Sequence, residues 1–459
     1  MKEKIDKILT KLNFFLIIIL VISVPVTFFI NYFSLYHFQS SFTFKVHQVL
    51  TIILPIEMFI YFYRLFTRKI RMNIFDLLIL LLILFGIIST AYALDLNTAL
   101  WGSRYRFEGF IQIVTYYFLF LNSREFFKKD KCVSLINALI GMGLVQFLYS
   151  FLQVFIRGDY IFVKREFVSY RASGFVGHPN MLGSYTVLVL LLSLGMYLLH
   201  DKNKKFYLFS SIALYINLIL TESTGPYFGF CFGLLFMLIF LKIKKKIGFK
   251  KIGFIIASAI ILLFGVSCTT EYISEKYYKE KYMDEFSIRG DIVDTFSVLT
   301  RLIINDDSLF KDSEEVPNMS DLELYGSDRI WLWKRSILLI PKYFWTGTGI
   351  DNFSTAFSEV DNRHVALFDK AHNEYLHLLI TQGIFVFITY MSLLVLIFIN
   401  GVRYKGKNYL VMVLLFAIIG YAAQAFMNIS VYNVSPFFFI TMGLLVGITE
   451  EEKKGLLEK

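Results

Sequence analysis

Five short segments bring together residue types that could handle a phosphate and a proton. In Ser169-Tyr-Arg-Ala-Ser-Gly-Phe-Val-Gly-His-Pro-Asn180, Arg171 stands just ahead of an apolar run. Gly174 and Gly177 allow tight backbone turns, and Pro179 suits the first turn of the helix that follows. An arginine beside a helix N-terminus favours a phosphate; the plainer alternative is an interfacial arginine anchored on lipid headgroups. Arg329 opens a stretch running to Ile340, preceded by Ser327-Asp328 and closed by Pro341. That frame predicts a short helix, lying along the membrane surface or packed on the core of a cap. In Asp369-Lys-Ala-His-Asn-Glu-Tyr-Leu-His377, His372 stands at a helix start, where the dipole lowers its pKa. A neutral imidazole there can accept a proton near neutral pH; a hydrogen-bonded interfacial histidine is the alternative. His372 and His377 are five apart and do not share a helix face, which argues against zinc. No metal or cofactor is expected. Trp101-Gly-Ser-Arg-Tyr-Arg-Phe-Glu-Gly109 sets Arg104, Arg106 and Glu108 at the start of an apolar span. Arg104 lies four residues before Glu108, the spacing of a structural ion pair. Gly347-Thr-Gly-Ile-Asp-Asn-Phe353 reads as a tight turn, because no strand precedes it and the rest of a dinucleotide fingerprint is missing.

The elements that must position these residues are membrane helices. The 459-residue chain is 56% hydrophobic and 18% charged, with a mean hydropathy of +0.59, against about 45–50% apolar and about 25% charged in soluble domains. Apolar runs fall near 13–34, 46–63, 73–94, 107–122, 133–156, 179–199, 206–221, 226–243, 251–267, 375–400, 408–427 and 432–449. Lipid offers the backbone no hydrogen-bond partner, so each run must be helical. The predicted fold class is all-α, a polytopic membrane bundle of about twelve transmembrane helices with one large extracytoplasmic loop. Every second short loop is basic, for example Arg124, Lys128, Lys129 and Lys131, or Lys242 through Lys246. The positive-inside bias places those loops and both termini in the cytoplasm, and puts 95–106, 157–178 and 268–370 outside. Three units follow: N-terminal helices over 1–267, an extracytoplasmic cap with short surface helices over 268–370, and C-terminal helices with a cytoplasmic tail over 371–459. The net charge of +10 is a matter of topology, and nucleic acid is not an expected partner. Cys132, Cys231 and Cys268 make no CxxC pair and predict no disulfide framework. The first apolar run has no small-residue cleavage site and reads as a retained helix.

Taken in order, these segments resemble the O-antigen ligase and polymerase superfamily of membrane glycosyltransferases. The resemblance rests on Arg104 to Gly109, Arg171 to Asn180, Arg329 with Trp333, Pro341 followed by Gly347-Thr-Gly349 and Phe353, and Ala371-His-Asn-Glu-Tyr-Leu376 with Gly383. It spans about residues 95–400. At Thr221-Glu-Ser-Thr-Gly-Pro226, relatives often carry a Ser-Arg pair, and this chain has no arginine.

The resemblance implies an inverting, metal-independent transferase. It would move a glycan from an undecaprenyl-diphosphate carrier to an acceptor hydroxyl at the outer face of the cytoplasmic membrane. The acceptor would be a glycan, a lipid or a protein, and the relatives include ligases, repeat-unit polymerases and protein O-glycosyltransferases. Arg171 and Arg329 would hold the diphosphate, because a guanidinium fork binds phosphate bidentately. His372 would take the acceptor proton, with Arg104, Arg106, Glu108, Asn180 and Asn373 in support. A multi-span transporter is the rival from another class. It predicts ionisable residues at span midplanes and short external loops, whereas the candidate residues here cluster in the loops of one side.

Overall fold

The computed structural model describes residues 2–36, 45–67, 70, 72–103, 106–126, 128–155, 171–277, 329–361, 368–404 and 408–457. These form helices without any strand among the described residues. In chain order the helices are α1 (Lys2–Tyr36), α2 (Val46–Phe66), α3 (Ile74–Ala91), α4 (Leu96–Trp101), α5 (Phe110–Ser123), α6 (Lys129–Phe155), α7 (Pro179–Leu199), α8 (Lys204–Leu220), α9 (Thr224–Ile243) and α10 (Phe249–Tyr277). After them come α11 (Arg329–Ile337), α12 (Ile340–Tyr343), α13 (Phe353–Phe357), α14 (Glu374–Arg403), α15 (Tyr409–Gln424) and α16 (Ser435–Leu457).

A helix stands at each of the twelve apolar runs. Nine, among the described residues, are long and apolar enough to cross a membrane. The others are α5 with 14 residues, α8 with 17, and α16, whose last turns carry Glu450, Glu451, Glu452, Lys453 and Lys454. Most of the predicted cap, 278–328 and 362–367, lies outside the described residues, as does Arg104. Within the described part of that region, Trp331 and Leu332 of α11 join Leu339, Tyr343, Phe353, Phe357 and, from α14, Ile380 in a buried apolar cluster, while Ile337 and Leu338 stay exposed.

The centre of the bundle is α7 and α15, whose apolar windows are 78% and 72% buried. Helices α8 and α9 pack against α7, and α9 lies against α15. In lipid there is no hydrophobic drive between apolar helices, so close approach through small residues does much of the work. Gly229 of α9 meets Gly420 and Gln424 of α15; a Cβ on it would sit 2.4 Å from the Gln424 Cβ and 2.6 Å from the Gly420 carbonyl oxygen.

At the end of the bundle that bears the basic loops, charges are paired and buried. Arg124, at the close of α5, donates two hydrogen bonds to Asp76 at 2.6 and 3.0 Å, and Arg64 reaches Asp6 at 3.1 Å. The candidate residues gather at the opposite end, where α5, α7, α9 and α14 begin and α8 and α15 finish.

Candidate functional site

The turn between α8 and α9 organises the site. Arg171 donates from Nε to the Thr221 carbonyl at 2.9 Å, and from Nη2 to Asn180 Oδ1 and Ser223 Oγ, each at 2.8 Å. Arg329 donates to Thr224 Oγ1 at 3.1 Å. Two guanidinium groups from distant parts of the chain thus attach to adjacent residues of one turn. Glu222, between their anchors, holds a left-handed φ of +44°, a conformation uncommon outside glycine. The hydroxyls and carbonyl of this turn receive arginines from two other segments. Asn180 is fixed in turn: Asn428 Nδ2 donates to its carbonyl at 3.1 Å, and also to Ser184 Oγ and Gln424 Oε1.

His372 joins this group from the α14 side. It is not itself the helix start. Asn373 is the N-cap, its side chain accepting the Leu376 N–H at 3.1 Å, and His372 stands one residue earlier with φ +49°. Such a conformation costs a non-glycine residue about 1–3 kcal/mol and persists only where its surroundings over-determine it. Burial pushes the imidazole pKa down to about 4; the positive Arg329 lowers it further, as do Arg106 and His178, against the opposing charge of Asp369. His372 Nδ1 is buried without a hydrogen-bond partner among the described residues. His178, the N-cap of α7, is also pushed to about 4, first by burial, then by Arg106 and Arg171. Above about pH 5 both imidazoles are therefore neutral, and the cluster carries the charges of Arg106, Arg171, Arg329 and Asp369. Asp369 stays ionised: burial works against it, but the hydrogen bonds and charge of Arg106 outweigh that and lower its pKa.

A second layer lies beneath. Arg106 is paired with Asp369, one of its bonds being Nη2 to Oδ1 at 2.9 Å. Glu108 is paired with Lys370 at 2.6 Å, both about 2% exposed. The expected Arg104–Glu108 pair lies outside the described residues at Arg104; among the described residues Glu108 takes Lys370 as its cation, with Tyr116 Oη donating at 3.1 Å and Ser430 Oγ at 3.0 Å. Lys370 also approaches Asp351 at 3.9 Å and the Ser430 carbonyl at 3.3 Å. A cavity of about 60 Å3 opens beside this cluster, lined by Glu108, Lys370, Glu374, His377 and Tyr390 among others.

The Gly347-Thr-Gly349 segment is a backbone fitting, as the turn reading expects. Gly347 and Gly349 have φ of +76° and +93°, and the Thr348 and Gly349 N–H groups donate to the carbonyls of Ile380 and Thr381. Helix α14 breaks opposite them at Gly383, φ +79°, whose place any Cβ would contest at 2.4 Å from the Trp345 carbonyl oxygen. The turn presents Asp351, which accepts the Ser103 N–H at 2.6 Å.

The sites named from sequence thus divide. Arg171, Arg329, His372 and Asn180 share one cluster; Arg106 reaches His372 and His178 by its charge from the layer that also holds Glu108; Asn373 caps a helix. Sequence reasoning passed over His178, Lys370, Asp369 and Asp351 as separate actors, although each lies inside a segment it singled out. Asn428 had no local signal at all.

Residues 208–391 match the family model described as O-antigen ligase. The match takes in the α8–α9 turn, Arg329 and His372, and leaves Arg171, Arg106 and Glu108 outside it. No curated protein matches the chain. The resemblance to the O-antigen ligase superfamily is supported by this match, and the apolar helices make the chain a multi-pass membrane protein.

Proposed function

With an O-antigen ligase domain as the premise, we propose that the chain transfers a glycan from undecaprenyl diphosphate to an acceptor hydroxyl at the outer face of the cytoplasmic membrane. The observation that carries this reading is the meeting of Arg171 and Arg329 on adjacent residues of one turn, with the depressed His372 imidazole within Arg329's field. Like charges brought together in a medium of low dielectric repel strongly, and a diphosphate relieves that repulsion. A leaving diphosphate develops charge on its bridging oxygen, where preorganised donors act best.

The reaction follows from these roles. His372, neutral at pH 7, takes the proton of the acceptor hydroxyl as that oxygen attacks the anomeric carbon. The bond from that carbon to the diphosphate oxygen breaks, and the electron pair leaves with undecaprenyl diphosphate, held by Arg171 and Arg329. Attack from the face opposite the diphosphate inverts the anomeric configuration. Arg106, paired with Asp369, adds positive field. The basic loops at the far end of the bundle support an orientation with this site outside and both termini in the cytoplasm.

The test uses cells of the source organism. Arg171, Arg329 and His372 are each replaced by Ala, membrane levels are matched, and lipid-linked and surface glycans are analysed. Loss of transferred or polymerised glycan with undecaprenyl-linked precursor accumulating is the expected result, and the chain-length pattern separates polymerase from ligase. Normal glycans in all three variants would overturn the assignment and favour transport.

A further inference from the structure

We propose that Lys370, locked onto Glu108, is a positioning residue for His372, and that the two ion pairs linking residues 106–108 to 369–370 set the imidazole in place. The inference rests on the proposed role of His372 as proton acceptor.

Two charges of opposite sign, Arg106 and Glu108, face two of opposite sign, Asp369 and Lys370, in matched order. Lys370 is the firmer anchor. Its ammonium touches Glu108, Asp351 and the Ser430 carbonyl, which belong to three separate connections of the bundle. Its charge is secure: burial lowers its pKa, but the charges of Glu108 and Asp351 outweigh that and raise it. On the other side of His372, Asn373 is fixed as the cap of α14. Only Ala371 and His372 lie between these two fixed points. Ala371 is fully buried, and its carbonyl accepts the Trp333 Nε1–H at 3.0 Å. A two-residue bridge held at both ends and in the middle has little freedom left, which accounts for the left-handed φ that His372 sustains. Loop 106–108 is itself braced: the Phe107 ring stacks on His47 at 4.2 Å, with Lys45 over it at 4.2 Å. Catalytic groups lose rate steeply when misplaced by an ångström. Arg171 and Arg329 donate hydrogen bonds in other places, on the α8–α9 turn and at Asn180.

The geometry therefore separates two measurable quantities. The full-length protein is purified in nanodiscs with Glu108→Gln, Lys370→Met, or the exchanged pair Glu108→Lys with Lys370→Glu. Binding of bare undecaprenyl diphosphate is measured, and turnover is followed with the lipid-linked glycan pool extracted from cells lacking the protein. Each single variant is expected to lose at least tenfold in turnover while its affinity for undecaprenyl diphosphate changes less than threefold; the exchanged pair is expected to recover at least threefold over the better single variant. Singles with near-normal turnover overturn the inference. So do singles that lose binding and turnover together, or an exchanged pair that folds with normal diphosphate affinity and is no better than the singles. If the singles fail to fold, the exchanged pair alone decides, by its turnover against wild type at matched affinity. His372→Ala runs alongside: full turnover in that variant would sink the proton-acceptor role itself, whereas its inactivity beside fully active Lys370 variants removes only the positioning role.

Discussion

Replacing Arg329 by Gln removes the positive charge that His372 feels most strongly, and the consequence can be read as a pH profile. In the folded protein the imidazole pKa falls from 6.5 to about 4, a drop of about 2.5. Burial is the largest cause and Arg329 comes second; removing one neighbouring cation is expected to return about one unit. The remaining neighbours, Arg106 and His178 pulling down and Asp369 pulling up, stay in place. In Arg329→Gln the titration of His372 is expected near pH 5. For the free enzyme, kcat/KM falls as pH drops through this pKa, so the acid limb moves up by about one unit even though the variant is slower at every pH. Stability follows the same group. A histidine held neutral by folding contributes stability that is fully present above its unfolded pKa of about 6.5 and is lost as pH falls toward the folded value. The wild-type loss is about 3 kcal/mol spread over pH 6.5 to 4, and about 2 kcal/mol in the variant, complete by about pH 5. The assay is turnover of nanodisc-embedded protein from pH 3.5 to 8, normalised to each variant's plateau. An acid limb that stays put or moves down in Arg329→Gln would refute the placement of that guanidinium in the field of His372.

Other substitutions probe the frame. Asn428→Leu removes the donor to the Asn180 carbonyl and so loosens a partner of Arg171; affinity for undecaprenyl diphosphate is expected to weaken about three- to tenfold, on the scale of one hydrogen bond at about 1 kcal/mol, and an unchanged Kd would separate Asn428 from the site. Gly383→Ala forces a side chain into φ +79° and against the Trp345 carbonyl; a loss of about 1–3 kcal/mol from the conformation alone should appear as a lower unfolding temperature in detergent, and full stability would contradict the break in α14. Arg124→Ala strips Asp76, about 1% exposed, of its cation; breaking such a buried pair costs about 3–5 kcal/mol, and reversal of the loss by a second change, Asp76→Asn, is the check.

Much of the bundle was legible because lipid forces each apolar run into a helix. Pro179 announced the first turn of α7, which begins there, and α14 starts one residue before the predicted run. The count was less secure, since α5 and α8 stop short of a full crossing length. In the site, the quoted segments contained most of the residues that meet, but their pairings were hidden. Helical spacing offered Arg104 to Glu108; Arg104 lies outside the described residues, and among them the cation that Glu108 takes is Lys370, 262 residues away. No local pattern encodes a contact at that separation. Likewise, Asn373 resembled a polar site residue and serves as a cap, because a capping asparagine and a binding asparagine look alike until the helix start is known. Asn428 sits between apolar runs with nothing around it to mark it, and only the approach of α7 to the end of α15 gives it a role.

With His178 and His372 both titrating near pH 4, the site has a property that neither residue has alone. An ordinary histidine gains half a charge at about 6.5, so a pocket lined with two would change its total charge through the mildly acidic range. Here the tally of charge presented to a diphosphate is constant from neutrality down to about pH 5. Under the proposed orientation the site faces surroundings whose acidity the cell does not regulate. Its grip on an anionic carrier would then be buffered against those swings, with no added device beyond two imidazoles set beside arginines.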